Sequence, residues 1–227
     1  MTDTWSTGMN GTTSPAGNRA NWVELSAMTA LVLSYEWIWD GAFRGHGVLV
    51  LFLFLAIAVS GHLRRGETAR EIGFRLDNFW SSARFVFSFA VPAALVIILI
   101  GWLTGLMHPR PIGHLIPRLA FLPLWGIGQQ YALLGFYYRR FDDVLPGVPL
   151  PILVTAGLFA FFHLPNPFLT VATFAAGVLA CVFYRKAPNL YVIGLAHGFL
   201  AALLESSLHG LLTVGMKVGL RALGSSS

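Results

Sequence analysis

Long apolar runs, separated by short charged or Pro-rich stretches, make up most of the chain. A membrane-spanning helix needs roughly 17–25 mostly apolar residues. Seven runs fit this range, at residues 22–40, 46–63, 83–106, 118–138, 147–164, 167–184 and 189–211. The pattern therefore predicts an all-α protein, a polytopic transmembrane helix bundle of about seven to eight membrane helices.

The segments outside these runs are predicted to have other structures. Residues 64–82 are too charged to span and are predicted to form a loop with a short interfacial helix. Residues 1–20 are rich in Thr, Ser, Gly and Asn and are predicted to be a disordered tail. Residues 212–227 are predicted to be a short helix or tail. The residues between the two ends, 21–211, are predicted to form one transmembrane helical domain.

Composition and charge support a membrane protein. The chain is 56% hydrophobic and 11% charged, whereas soluble domains carry about 25% charged residues. Its single cysteine, Cys181, excludes an intrachain disulfide and a CxxC metal motif.

The net charge of +5 is explained by topology, because Lys and Arg prefer cytoplasmic loops. With the N-terminus inside, cytoplasmic segments hold about twice as many Lys and Arg residues as the opposite side. Arg139 and Arg140 are interpreted as the cytoplasmic exit of the fourth span.

Several predicted spans carry polar side chains that are costly to bury in a bilayer. Gln129 and Gln130 point about 100° apart on a helix, so both can face a polar interior. Interhelical hydrogen bonding is the alternative explanation. His163 ends the fifth span, four residues after Phe159, and a backbone carbonyl or interfacial water could satisfy it. His197 lies near the middle of the seventh span, where solvent is a weaker explanation.

Two further pairs of ionisable residues have simpler explanations. Glu205 and His209 are spaced i, i+4 and are predicted to satisfy each other. Glu205 lies roughly 12 Å along the helix axis from His197, which is too far for direct contact. Glu36 and Asp40 have the same spacing and are interpreted as the solvated end of the first span.

Two histidines on different helices, with a polar pair on a third, are suited to holding a metal or activating a water molecule. Neutral imidazole is a common Zn²⁺ ligand, and a catalytic zinc typically takes three protein ligands plus water. His163 and His197 are therefore candidate zinc ligands. Gln129 or Gln130 can orient a water molecule through the amide, but an amide cannot take its proton.

The order and spacing of these residues resemble the CPBP family, which contains the CAAX prenyl proteases and the bacteriocin-processing, Abi-type intramembrane proteases. The resemblance covers about residues 70–208. The family pattern is Glu-Glu-x-x-x-Arg, then Phe-x-x-x-His, then His-x-x-x-Asn. Phe159 and His163 match the second motif, and His197 matches the histidine of the third.

The first motif is present in a neutral form. Gln129 and Gln130 stand at the paired glutamates, Leu134 at the arginine, and Ala201 at the asparagine of the third motif. The family's first glutamate is usually given the water-activating role, and its histidines and asparagine are assigned to oxyanion or metal roles. Carboxylates and arginine are missing together here, so no partner is left as an unpaired buried charge.

The resemblance implies a bundle of about eight helices with a polar cavity that opens into the membrane. It also implies an intramembrane endopeptidase of the bacterial inner membrane that acts on membrane-embedded or lipidated peptide substrates, with no nucleic-acid partner. Its candidate catalytic residues are Gln129, Gln130, His163 and His197. The histidines would bind a metal or stabilise the oxyanion, and a glutamine would position water. The base would be a metal-bound hydroxide or Glu205.

Two alternatives remain open. The chain could be a catalytically silent relative that serves as a membrane scaffold, chaperone or immunity factor, because the carboxylates, the arginine and the asparagine are missing. A small transporter or channel is a third hypothesis, and no internal repeat supports it.

Overall fold

The structure is a computed structural model that describes residues 15–39, 47–107, 112–208 and 216–223. Every regular element in these ranges is helical, which confirms the predicted all-α class. In chain order the elements are α1 (Pro15–Ser34), the π-helix π1 (Tyr35–Trp39), α2 (Gly47–Arg65), α3 (Ala69–Ile72), α4 (Phe79–Thr104), α5 (Ile112–Gln130), the π-helix π2 (Tyr131–Tyr138), α6 (Arg139–Val144), α7 (Pro149–Phe161), α8 (Pro167–Lys186), α9 (Leu190–Ser207) and α10 (Gly219–Leu223).

Three helices in the described ranges, α4, α8 and α9, are long and apolar enough to cross a membrane. Helix α4 illustrates the reason. Several of its large apolar side chains, among them Leu95, Trp102 and Leu103, are more than half exposed. Exposed apolar surface of this extent on a 26-residue helix fits contact with lipid rather than water. The helical membrane bundle is thereby confirmed, while the number of seven to eight spans stays a prediction.

The predicted boundaries lie close to the observed ones. The charged segment 64–82 contains only the end of α2, the four-residue helix α3 and the start of α4. The first and fourth predicted spans each consist of an α-helix that continues into a π-helix. Helix α1 begins at Pro15, inside the segment predicted to be a tail, and residues 1–14 lie outside the described ranges.

The chain divides into two compact units. Unit 1 comprises Met1–Thr68, Phe136–Cys181 and Lys217–Ser227, and unit 2 comprises Ala69–Gly135 and Val182–Met216. The single domain at 21–211 stays a prediction.

Glycine allows very close packing of α5 against α9 in unit 2. A Cβ atom added to Gly126 would lie 2.2 Å from the backbone oxygen of Gly194. One added to Gly194 would lie 2.5 Å from Cα of Ile127, and one added to Gly198 would lie 2.5 Å from the backbone oxygen of Leu122. Because only hydrogen fits at these points, the two helix backbones approach closely, as small residues allow between membrane helices.

Asn189 fixes the start of α9 in the same unit. Its side-chain oxygen accepts a hydrogen bond from the Val192 N–H at 3.0 Å. Its side-chain amide donates to the backbone oxygen of Arg75 and to the side chain of Asn78, each at 2.8 Å. Helix α9 is therefore capped and held to the segment that precedes α4.

A buried ion pair joins α1 to α6 in unit 1. Arg140 donates from Nε to Glu24 at 2.6 Å, and Arg64 donates to the other carboxylate oxygen of Glu24 at 2.6 Å. The Arg140 side chain is 0% exposed. Its guanidinium is therefore enclosed by protein and neutralised by an acid far along the chain, while the interpretation of Arg139 and Arg140 as the cytoplasmic exit stays a prediction. A side chain at Gly61 would not fit here, because its Cβ would lie 2.5 Å from both Arg140 and Glu24.

A second set of ion pairs lies in the same unit, centred on Glu67. Its carboxylate accepts from Arg139 Nε at 2.8 Å and contacts His62 Nδ1 at 2.6 Å. Arg65 Nε lies 3.2 Å from it, and Arg65 also pairs with Asp143. The basic residues at the end of α2 and the start of α6 are thus used in holding unit 1 together.

Candidate functional site

Gln129 and His197 are in direct contact in unit 2. Gln129 is the penultimate residue of α5, His197 lies in the middle of α9, and the close helix packing brings them together. Gln129 Oε1 lies 2.7 Å from His197 Nε2, and both residues are half-buried. An amide oxygen can only accept a hydrogen bond, so His197 Nε2–H is the donor. The neutral ring then carries its lone pair on Nδ1.

This hydrogen bond bears on metal binding, because Nε2 of His197 is occupied by Gln129. In the ranges that the structure describes, no group of three or more His, Cys, Asp and Glu residues is placed to hold a metal ion. These residues therefore do not supply the three protein ligands that a catalytic zinc typically takes. Zinc binding by His163 and His197 stays a prediction.

Gln130 has a different environment from its neighbour. It is 2% exposed, and its Oε1 atom has no hydrogen-bond partner among the described residues. A buried acceptor left unsatisfied costs about 1–3 kcal/mol. Gln130 therefore offers an acceptor to any donor that enters its surroundings.

The π-helix π2 begins directly after Gln130. π-helical segments are rare and are often found at functional sites, because the extra residue per turn changes where side chains point. Leu134, which stands at the arginine position of the resembled motif, is in this segment and is 0% exposed. An arginine there would be buried without the carboxylates that it needs, so the apolar residue agrees with the neutral Gln129 and Gln130.

His163 is placed by a local contact in unit 1. It follows the end of α7, and its Nδ1 lies 2.7 Å from the backbone oxygen of Phe159. The two rings pack edge to face, with centroids 4.8 Å apart. A carbonyl oxygen only accepts, so Nδ1–H is the donor and the neutral ring has its lone pair on Nε2. The Phe-x-x-x-His spacing is thus what orients the imidazole.

The structure brings together Gln129 and His197 among the predicted site residues, and it buries Gln130 beside them on α5. His163 belongs to the other compact unit. A single site containing all four stays a prediction. The predicted contact between Glu205 and His209 falls on residue 209, outside the described ranges.

Glu36 lies in a different environment from the one that the sequence predicts. Its interpretation as a solvated end is wrong, because Glu36 is half-buried within π1 and its Oε2 atom is enclosed without a hydrogen-bond partner among the described residues. Asp40, the other residue of the predicted solvated end, lies outside the described ranges. The signal that could have identified Glu36 is an acidic residue inside an apolar run, where ionisable groups are costly and are usually functional.

The comparisons with known proteins identify the family. A family model described as "Type II CAAX prenyl endopeptidase Rce1-like" matches residues 27–203, well over half of the chain. Neither the curated proteins nor the solved structures give a significant match. The matched region contains Gln129, His163 and His197, and the helical membrane architecture agrees with it. The chain is therefore an integral membrane protein that belongs to the Rce1-like type II CAAX prenyl endopeptidase family.

Proposed function

We propose that the chain is an intramembrane endopeptidase that hydrolyses peptide bonds in prenylated or other lipidated substrates, with Gln129, Gln130, His163 and His197 at its site. Membership of a family of prenyl endopeptidases supports the reaction class. The observation that carries the proposal is the 2.7 Å hydrogen bond between His197 and Gln129. This hydrogen bond holds the imidazole in one tautomer between two apolar helices. Packing alone would not require a polar ring there, because polar groups are costly to bury in a bilayer.

The proposed roles follow from the tautomers that the two hydrogen bonds set. His197, oriented by Gln129, accepts a hydrogen bond from the attacking water at Nδ1. His163, oriented by Phe159, uses Nε2 at the substrate, where its protonated form can donate to the oxygen of the scissile carbonyl. The water oxygen bonds to the carbonyl carbon, the C–N bond breaks, and the proton lost by water ends on the amine that leaves. Neither glutamine can carry that proton, so His197 takes it from the water and gives it to the amine as the C–N bond breaks.

The test is cleavage of a farnesylated peptide with a quenched fluorophore by the full chain in proteoliposomes. The variants His163→Ala and His197→Ala are expected to lose at least about 100-fold in kcat. The same peptide without its farnesyl group measures the requirement for the lipid. Equal rates for the wild type and both variants would show that the histidines take no part.

A catalytically silent role, as a scaffold, chaperone or immunity factor, is the second candidate. The neutral set of Gln129, Gln130 and the buried Leu134 favours it, because the resembled pattern has two carboxylates and an arginine there. Such a protein would bind the farnesylated peptide without releasing the fluorophore. Zinc is examined separately, by metal analysis of the wild type and of His163→Ala.

We place the protein in the bacterial inner membrane with a cytoplasmic N-terminus. The greater number of Lys and Arg residues in the predicted cytoplasmic segments supports this orientation. Cysteines introduced into residues 1–14, on a Cys181→Ala background, should react with an impermeant thiol reagent only after the cells are opened. Labelling of intact cells would reverse the orientation.

A further inference from the structure

We propose that the C-terminal segment, residues 217–223, positions His163 for the hydrolysis and acts through Asn166 and Gly219. The inference rests on the proposed function, in which His163 acts at the scissile carbonyl. All of the contacts that carry it lie within unit 1. The segment follows residue 203, where the family match ends, so the match assigns it no role.

His163 lies in the turn that links α7 to α8, outside both helices. Helix α7 ends at Phe161, and α8 begins at Pro167. The His163 N–H donates to the backbone oxygen of Ala160 at 2.9 Å, and the His163 backbone oxygen accepts from the Asn166 N–H at 3.0 Å. The position of the imidazole therefore depends on how firmly this turn is held.

Asn166 is the residue at which the turn meets both α8 and the C-terminal segment. It is 1% exposed. Its side-chain oxygen accepts from the Leu169 N–H at 3.2 Å and so caps the start of α8. Its side-chain amide donates to the backbone oxygen of Lys217 at 3.4 Å. One buried side chain thus has two separable roles, as the acceptor of a helix cap and as a donor to the C-terminal segment.

Gly219 gives the C-terminal segment a second hydrogen bond to the turn. Its N–H donates at 2.8 Å to the backbone oxygen of Leu164, the residue after His163. Its φ of 56° lies in the left-handed region that favours glycine. A Cβ atom added to Gly219 would lie 2.5 Å from the backbone oxygen of Glu36 in π1. The close approach of the segment to π1 therefore requires glycine here.

Further contacts fix the C-terminal segment within unit 1. Arg221 donates to the hydroxyl oxygen of Tyr35, in π1, at 3.3 Å. Gly219 is buried, and Ala222 is 4% exposed. The segment is therefore joined to two parts of the unit, π1 and the turn of His163. Because it is itself held by π1, it restricts how far the turn can move.

A restrained turn keeps Nε2 of His163 in one place relative to the scissile carbonyl. Phe159 orients the ring through Nδ1–H, whereas the C-terminal segment holds the backbone that carries the ring. A misplacement of about 1 Å can cost about 100-fold in rate. Loss of these contacts should lower kcat and leave KM nearly unchanged, because the proposed hydrogen bond to the carbonyl oxygen strengthens in the transition state.

Asn166→Ser separates the two roles of Asn166. Serine is a good helix cap, so α8 stays capped, but the serine side chain is too short to reach Lys217. We expect kcat for the farnesylated peptide in proteoliposomes to fall about 10–100-fold, with little change in KM. A role in capping alone would leave kcat unchanged. The melting temperature in detergent shows whether the variant keeps its fold.

Gly219→Ala tests the second contact and has a close control. It is expected to lower kcat about 10–100-fold, because the added Cβ forces the C-terminal segment away from Glu36. Gly66→Ala is the control, since Gly66 has a φ of 65° and no described atom lies within 4 Å of its added Cβ. Both variants place alanine in the left-handed region, and only Gly219→Ala disturbs the segment.

Nitrogen-15 NMR of the histidine rings gives a readout that does not depend on cleavage. The wild type should show His163 as the Nδ1–H tautomer, in signals that are identified by their loss in His163→Ala. In Asn166→Ser and Gly219→Ala the ring should exchange between its two tautomers. Unchanged His163 signals in both variants would overturn the proposal, whatever the peptide assay gives.

The wild-type chain separates this inference from the proposed function. If it cleaves the peptide and both folded variants keep the wild-type kcat, the positioning role is overturned and the proposed function stands. A change in KM alone would also overturn the positioning role. If the wild type binds the peptide and does not cleave it, the proposed function fails, and the role of the segment in hydrolysis fails with it.

Discussion

His197 and Gln129 show how a neutral amide can fix the orientation of an imidazole between two apolar helices. The amide oxygen of Gln129 accepts from Nε2–H of His197 as a carboxylate would, without adding a buried negative charge. Leu134 removes the cation that such a charge would need. The substitutions at these positions therefore agree with one another in electrostatic terms.

Replacing Gln129 tests this positioning role. Gln129→Ala removes the acceptor and should lower kcat about 10–100-fold, as loss of a group that orients a histidine typically does. Gln129→Glu keeps an acceptor at the same place and should retain most of the rate. The measurement is kcat and KM for the farnesylated peptide. If the Ala variant changes KM alone, Gln129 acts in binding and not in orienting His197.

The polar residues of the apolar helices can be recognised in the sequence, whereas some of their contacts cannot. Gln129 and His197 could be singled out because polar groups are costly in apolar helices. Their pairing could not be predicted, because it depends on how two helices that are distant in sequence pack. Glu36 is predicted to be solvated because it lies near the end of the first apolar run. Only the packing of π1 shows that its Oε2 atom is enclosed.

Helices α5 and α9 depend on glycine for the approach that brings Gln129 to His197. The spacing of Gly194 and Gly198, four residues apart, is the small-residue pattern typical of close membrane helices. The sequence therefore contained a signal for this packing. The sequence contained no signal for the π-helices, because an apolar run predicts the length of a helix and not its hydrogen-bond pattern.

A larger residue at Gly194 should separate the two helices. Gly194→Ala places a Cβ atom 2.5 Å from backbone Cα of Ile127, which a flexible side chain cannot relieve. We expect a loss of about 1–3 kcal/mol in stability, seen as a lower melting temperature in detergent. Gly128→Ala on α5 is the matched control, because nothing lies within 4 Å of its added Cβ. Equal melting temperatures for the two variants would contradict this account of the packing.

The ion pairs of unit 1 make the stability of the protein depend on pH in the acid range. Burial alone would raise the pKa of Glu67, but the hydrogen bond with His62 and the positive charges of Arg139 and Arg65 outweigh it and lower the pKa to about 2. A carboxyl group whose pKa is lower in the folded state stabilises the fold above its unfolded pKa. That stabilisation is lost as the pH falls toward the folded pKa.

The acid dependence can be measured with Glu67→Gln. Between about pH 5 and pH 2, the wild type should lose up to about 3 kcal/mol of stability that this variant does not lose, because the variant has no group to protonate. Melting temperatures across this range provide the comparison. Asp77→Asn is the control, since Asp77 is exposed and water screens its ion pairs with Arg70 and Arg75. Parallel curves for the wild type and Glu67→Gln would show that Glu67 does not control the acid response.

The pairing of Glu24 with Arg140 has a practical consequence for anyone who shortens this protein. The family match begins at residue 27, so starting the gene there would look harmless. The shortened chain would keep every residue discussed for catalysis and still lose Glu24, which leaves a fully enclosed guanidinium without its counter-ion. Removing one partner of a buried pair typically costs 3–5 kcal/mol. A low yield of such a fragment would therefore reflect a missing counter-ion, not a defect in its active-site residues.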